Sequence, residues 1–158
     1  MKEISKKILS SLQAQCAKRE YCRSDIFRKA LEKAEWDRTV AEEVTEALVE
    51  DGFVDDLRYS SAFAREKASI SGWGPVKIRY TLSAKGIDRT TIEKALEEID
   101  PESAFKKLER LLESKWKSVR EEDDAKLRLL KFALTKGYEY ETVRAIVDRI
   151  AADGQSET

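Results

Sequence analysis

The feature that most constrains the fold is an internal repeat in which apolar positions recur at an offset of 51 residues. This offset takes Phe27 to Ile78 and then to Leu129. The other positions related by the same offset are Leu31, Leu82 and Ala133; Trp36, Ile87 and Tyr138; Lys85 and Lys136; Gly86 and Gly137; Ile92 and Val143; Leu96 and Val147; and Ile99 and Ile150. Similarity at one fixed period is typical of proteins built from small units that bury their apolar faces against their neighbours.

Each period contains apolar residues at helical spacing, and β-branched residues never alternate over a long run. The chain has only six Gly and two Pro. We therefore predict an all-α fold of three tandem three-helix repeats, arranged as an elongated array. The predicted segments are repeat 1 with an additional N-terminal helix (1–54), repeat 2 (55–100), repeat 3 (101–150) and a frayed C-terminal tail (151–158).

The segment from Gly52 to Ile87 has the clearest helix boundaries. Pro75 suits the first residue of a helix, where the missing N–H has no helical partner in any case. Gly86 suits the left-handed residue that ends a helix. The segment is also a basic block in a chain whose net charge is −1. Its cations, which we take as candidate residues for binding a partner or DNA, are Arg58, Arg65, Lys67, Lys77, Arg79 and Lys85.

Several classes of protein are disfavoured by the composition. The chain has no His and two cysteines, Cys16 and Cys22, so a zinc site would lack ligands and a disulfide scaffold is not indicated. There is no nucleophile-elbow or phosphate-loop motif, so we expect a non-enzymatic protein without cofactor or metal. No run approaches the length of a transmembrane helix, and the first residues lack a signal-peptide core. We expect a reduced, cytoplasmic monomer.

A family resemblance is carried by the motifs of the middle block. The segments GFVDDLRY (52–59), AFA (62–64) and GWGPVKI (72–78), with Leu82 and KGI (85–87), resemble the signature of RecX regulatory proteins. The resemblance extends more loosely over residues 20–150. It departs in the first repeat, where CRSDIF (22–27) replaces the family's usual Ser-x-x-Glu-Leu start and Glu35 stands at the expected Gly.

The resemblance implies a curved array of three-helix repeats that lies in the groove of a RecA filament on single-stranded DNA. It also implies that the chain modulates RecA, mostly by inhibiting the ATPase and strand-exchange activities. The residues are compatible with such a partner, because the first repeat is acidic from Glu42 to Asp56 and the second is basic. Separated charges of this kind orient a docking protein more than they increase its affinity.

The alternative is a direct DNA-binding protein made of helical repeats, which the near-neutral charge and the acidic first repeat disfavour. Tyr59 and Tyr80 are candidates for stacking on bases, although aromatic residues at helical spacing are more often core residues. Trp73, in a Gly-Trp-Gly-Pro turn, is interpreted as a plug over a helix junction.

Overall fold

The computed structural model describes residues 1–156, with side chains described as far as Asp153. Over this range the chain forms nine α-helices and no strand, which confirms the all-α prediction. The helices are α1 (Glu3–Cys16), α2 (Arg23–Lys33), α3 (Arg38–Glu50), α4 (Asp56–Ser69), α5 (Pro75–Ala84), α6 (Arg89–Glu97), α7 (Pro101–Val119), α8 (Ala125–Thr135) and α9 (Tyr140–Ser156).

Aspartates begin four of these helices. Asp37 accepts hydrogen bonds from the Thr39 and Val40 N–H groups at 3.1 and 3.2 Å, and so satisfies donors that have no helical partner. The aspartates that do the same for α4, α6 and α7 are Asp55, Asp88 and Asp100. Pro75 begins α5, as predicted.

The chain divides into two compact units, residues 1–63 with 82–95 and residues 64–81 with 96–158. The core of the first unit combines one face of each of α1, α2 and α3 with Val54. Its fully buried members include Leu12, Ile26 and Leu48. Several members lie at the helical spacing on which the prediction of helices rested, for example Val40, Val44 and Leu48 on α3.

The core of the second unit is formed by α7, α8 and α9. Leu108 and Leu112 on α7 are fully buried, as are Leu129 on α8 and Val143 on α9. Because α9 continues to Ser156, residues 151–156 are helical although the sequence predicts a tail beginning at 151. Residues 157–158 of that predicted tail lie outside the described part of the chain.

Burial at equivalent positions agrees better between the second and third periods of the repeat than between either of them and the first. Ile78 and Leu129 are both fully buried, whereas Phe27 at the equivalent position is half-buried. On α2 the preceding residue, Ile26, is the one fully buried. The two compact units are defined by packing and the predicted repeats by sequence offset, so the repeat boundaries stay a prediction.

α2 ends in the backbone conformation of a glycine cap, although no glycine is present there. Glu35 has φ of 52° and Trp36 has φ of 71°, both in the left-handed region. The Trp36 N–H donates to the Leu31 carbonyl at 2.8 Å, as the Ile87 N–H donates to Leu82 at 3.4 Å. The helix therefore ends in the same way in the first two periods, with a side chain where the second has Gly.

Candidate partner-binding surface

The start of α5 is joined to the end of α8 through their main chains. The Gly74 N–H donates to the Lys136 carbonyl at 2.6 Å, and the Val76 N–H donates to the Gly137 carbonyl at 2.9 Å. A Cβ added to Gly74 would lie 2.5 Å from the Gly137 oxygen. These glycines therefore allow a backbone approach that side chains would prevent.

Trp73 lies in the loop that precedes this joint and carries lysine ammonium groups over its ring. Lys77 Nζ is 4.2 Å from the ring centre, and Lys67 Nζ is 5.0 Å from it. These distances are those of cation–π interactions. The indole is half-buried beside the α5–α8 joint, in keeping with its interpretation as a plug over a helix junction.

Lysines from three different parts of the chain lie around the loop of residues 71–74. Lys77 Nζ donates to the Thr135 carbonyl at 3.1 Å, and Lys136 Nζ donates to the Ser71 carbonyl at 3.2 Å. Lys107 on α7 contributes the third charge, and its Cγ would lie 3.7 Å from a Cβ added to Gly72. Burial, followed by the charges of Lys77 and Lys107, lowers the pKa of Lys136 below its ordinary value.

Besides Lys77, two of the six predicted binding residues are held in structural contacts. Arg58 Nε pairs with Glu20 at 2.7 Å, and its guanidinium also donates to the Gly52 and Phe53 carbonyls at 3.0 and 3.2 Å. The hydrogen bond with Glu20 raises the pKa of Arg58. Arg58 thus fixes the connection between α3 and α4.

Lys85 is the second of these structural cations. Its Nζ lies 2.7 Å from Asp25 Oδ2, and both side chains are largely shielded from solvent. The hydrogen bond to Asp25 raises the pKa of Lys85. Removing this lysine would leave the partly buried Asp25 carboxylate with Arg28, at 3.3 Å, as its remaining charge partner.

The remaining predicted residues differ in exposure. Arg65 pairs with Glu98 at 2.7 Å, with both side chains about half exposed. Arg79 on α5 is exposed, and Lys67 on α4 is half-buried beside Trp73. An exposed ion pair such as that of Arg65 contributes little to stability, so this cation is available to a partner at small cost.

The predicted acidic surface lies on α3 in the first unit. Glu42, Glu43, Glu46 and Glu50 are all exposed, as expected for the outer face of an amphipathic helix. Glu46 forms an ion pair with Arg23, so one acid of the row is partly compensated.

The two tyrosines proposed for base stacking have different environments. Tyr59 is only 8% exposed and packs against Phe63 with the ring centres 6.0 Å apart, so it is a core residue. Tyr80 is 77% exposed and is the one of the pair that can meet a base. Tyr59 is thus the core residue that its helical spacing favours, and it is not exposed for stacking on a base.

The cysteines and the helix lengths bear on other kinds of site. Cys16 and Cys22 are free thiols, and burial is the largest cause that raises the pKa of each. Among the residues that the structure describes, no three acidic or thiol side chains are grouped as metal ligands would be. None of the described helices has the length and apolar character needed to span a bilayer.

Two residues of the lysine group, Lys107 and Lys136, were missed by the sequence reasoning. Both lie after residue 100, outside the block in which the basic residues are concentrated. The repeat offset held one signal, because it relates Lys136 to Lys85, which was a candidate. Nothing in the sequence pattern indicates Lys107, since it is one of many charged residues on α7.

Comparison with known proteins identifies relatives of this chain. A family model for the second three-helix domain of RecX matches residues 55–96. The chain is 31% identical over 129 residues to the regulatory protein RecX of Clostridium tetani, which covers 79% of this chain and 58% of that protein. It spans about half the length of other clostridial relatives.

The chain is also similar to a second relative and to a solved structure. The regulatory protein RecX of Pseudomonas putida is 31% identical over 109 residues, covering 69% of this chain and 75% of that protein. The crystal structure of RecX from Lactobacillus salivarius superposes with a TM-score of 0.77 at 21% identity, over 94% of this chain and 97% of that one, so the fold is the same. The chain therefore belongs to the RecX family of regulatory proteins.

Proposed function

We propose that this chain is a non-enzymatic regulator of recombinational DNA repair that binds in the groove of a RecA filament on single-stranded DNA. There it modulates RecA, mostly by inhibiting its ATPase and strand-exchange activities. The observation that carries the proposal is membership of a family of regulatory proteins, whose model for the second three-helix domain matches residues 55–96. The groove of a filament wound on a polyanion offers both protein and phosphate surfaces to a bound chain.

The charge distribution supports a protein partner. Exposed acids lie along α3 in the first unit, and lysines gather around Trp73 in the second. A surface that only followed phosphates would not be continued by a row of glutamates. Separate acidic and basic stretches would instead fix the orientation of the chain on a partner that carries both charges.

An ATPase titration tests the proposal. The chain is added to RecA assembled on single-stranded DNA, and its binding to the same DNA without RecA is followed by anisotropy under identical conditions. We expect ATP hydrolysis to fall at concentrations at which the bare DNA is still unbound. Inhibition that begins only where the bare DNA becomes saturated would overturn the proposal.

A triple variant locates the contact, and circular dichroism checks that its fold is intact. R65Q, K67Q and R79Q together remove charge from the basic block but leave Arg58 and Lys85 in their structural contacts. If each of the three charges contributes about 0.5 kcal/mol to binding, their loss would raise the half-inhibitory concentration about tenfold. The matched control, K6Q with K7Q and K18Q, removes the same charge from exposed positions in or just after α1. Equal loss of inhibition in both variants would mean that only net charge matters.

The alternative function is direct binding of nucleic acid. The observation that favours it is the group of lysines around the loop 71–74, which meets carbonyl groups and aromatic rings. Under this alternative the chain binds bare single-stranded DNA as tightly as the filament, with a strong dependence on salt. The titration above separates the two functions.

A further inference from the structure

We infer that Lys77, Lys107 and Lys136 form a binding site for a phosphate group. They come from three separate elements: α5, α7 and the residue that follows α8. Lys77 and Lys136 bond to carbonyl groups on either side of the α5–α8 joint, and Lys107 lies beside the loop at Gly72. All three belong to the second compact unit. The site needs no RecA, and it gives the lysine group of the alternative function a ligand of stated chemistry.

Two of the three ammonium groups are held in place before any ligand binds. Lys77 Nζ is tied to the Thr135 carbonyl and Lys136 Nζ to the Ser71 carbonyl, each by one hydrogen bond. An ammonium group has three donors, so each of these lysines keeps protons for a further acceptor. A ligand that meets tethered donors loses less affinity to the ordering of side chains.

Aromatic rings support the same two side chains. Lys77 Nζ lies 4.2 Å from the centre of the Trp73 ring, and Lys136 Nζ lies 5.2 Å from that of Phe132. A ring face replaces part of the water around an ammonium group while leaving its charge uncompensated. The cations are therefore partly desolvated and attract an anion more strongly than free surface lysines would.

Two carboxylates, those of Glu98 and Asp100, line the same groove as Lys107, but Glu98 is paired with Arg65. Within the part of the chain that the structure describes, none of Lys77, Lys107 and Lys136 forms an ion pair with a carboxylate. Cations close by in the sequence do, since Lys106 lies 3.3 Å from Glu102 and Arg65 lies 2.7 Å from Glu98. The repulsion within the cluster contributes to the lowered pKa of Lys136, and a bound dianion would relieve it.

Helix capping explains only part of this arrangement. A lysine near a helix C-terminus is stabilised by the helix dipole, which accounts for the tethers of Lys77 and Lys136. Lys107 lies in the interior of α7 and caps no helix, yet it adds a third like charge. Three lysines gathered at one loop suit the several oxygens and the higher charge of a phosphate better than a single carboxylate.

The site is tested on the whole chain with two phosphate probes. Sodium triphosphate is titrated by calorimetry, and a fluorescein-labelled oligothymidylate is titrated by anisotropy at several salt concentrations. The variant is K107Q and the matched control is K106Q, which changes the adjacent lysine on the same helix, already paired with Glu102. Sodium citrate serves as a carboxylate probe of similar charge.

We expect K107Q to weaken binding about tenfold, the effect of losing one charged hydrogen bond, and K106Q to change it less than about twofold. For the oligonucleotide, the salt slope should fall by about 0.7 in K107Q, the loss of one contact to a single strand. Binding of triphosphate alone identifies free phosphates as the ligand, and binding of the oligonucleotide identifies phosphodiesters; either supports the site.

Three results would overturn the inference. These are an absence of binding to both phosphate probes, citrate binding as tightly as triphosphate, and equal losses in K106Q and K107Q. Circular dichroism of each variant establishes that the fold is intact. Because RecA is absent from every arm, failure here is distinct from failure of the proposed function.

Discussion

Replacing Gly137 by Ala should destabilise the protein far more than the same change at Gly86, although the two glycines occupy equivalent positions in the repeat. Both have positive φ, 86° at Gly137 and 77° at Gly86. An Ala in the left-handed region costs about 1–2 kcal/mol at either site. A Cβ at Gly86 meets nothing within 4 Å, so this conformational cost is the whole effect there.

Gly137 has a second role that Gly86 lacks. A Cβ at Gly137 would lie 2.7 and 2.9 Å from the backbone N and Cα of Lys77, so α5 would have to move away. That movement would break the hydrogen bonds that the Gly74 and Val76 N–H groups donate to the Lys136 and Gly137 carbonyls just after α8, each contributing about 1 kcal/mol. We therefore expect G137A to cost about 3–4 kcal/mol, about 2 kcal/mol more than G86A.

Urea denaturation followed by far-ultraviolet circular dichroism measures both variants against the parent chain. The free energy of unfolding should fall about twice as far in G137A as in G86A. Equal losses would refute the reasoning, because they would show that the backbone joint between α5 and α8 contributes nothing beyond the left-handed conformation.

Three further predictions concern the first unit. E35G should stabilise the chain by about 1 kcal/mol in urea denaturation, because it removes a side chain from the left-handed region; a loss of stability would contradict the cap at the end of α2. Burial would raise the pKa of Asp25, but the hydrogen bond from Lys85 and the nearby charges hold it below its ordinary value of 3.8. The stabilisation is therefore present above pH 3.8 and lost as pH falls through the lowered pKa, so the advantage of the parent over D25N should shrink in acid; a constant difference across pH would argue against the ion pair. R58A should lower the midpoint of thermal unfolding clearly, by the equivalent of about 1–2 kcal/mol, whereas R65A should lower it little; equal shifts would show that the bonds to the α3–α4 connection add nothing.

Local signals account for the parts of the fold that the sequence predicts well. Pro75 begins a helix because of its own backbone chemistry, and Gly86 and Gly137 end helices because they tolerate positive φ. The apolar offset correctly pairs Ile78 with Leu129, because equivalent helices bury equivalent faces. The first period departs from this pattern, since α2 buries Ile26 in place of Phe27.

The functions of individual side chains depend on contacts distant in sequence, and the pattern did not reveal them. Arg58 and Arg65 both belong to the basic block. The guanidinium of Arg58, however, bonds to Glu20 and to two backbone carbonyl groups. Lys107 and Lys136 join Lys77 only because α7 and α8 bring them to the loop before α5. A block of basic residues thus predicts the region of interest, and the packing of helices decides which cations are available.

Electron cryomicroscopy of the chain on RecA filaments assembled on single-stranded DNA tests the central proposal most directly. We expect helical density along the filament groove, at regular intervals, with the basic block of residues 52–87 against the filament. Density found only on DNA that RecA does not cover, with the groove empty at saturating concentrations of the chain, would contradict it.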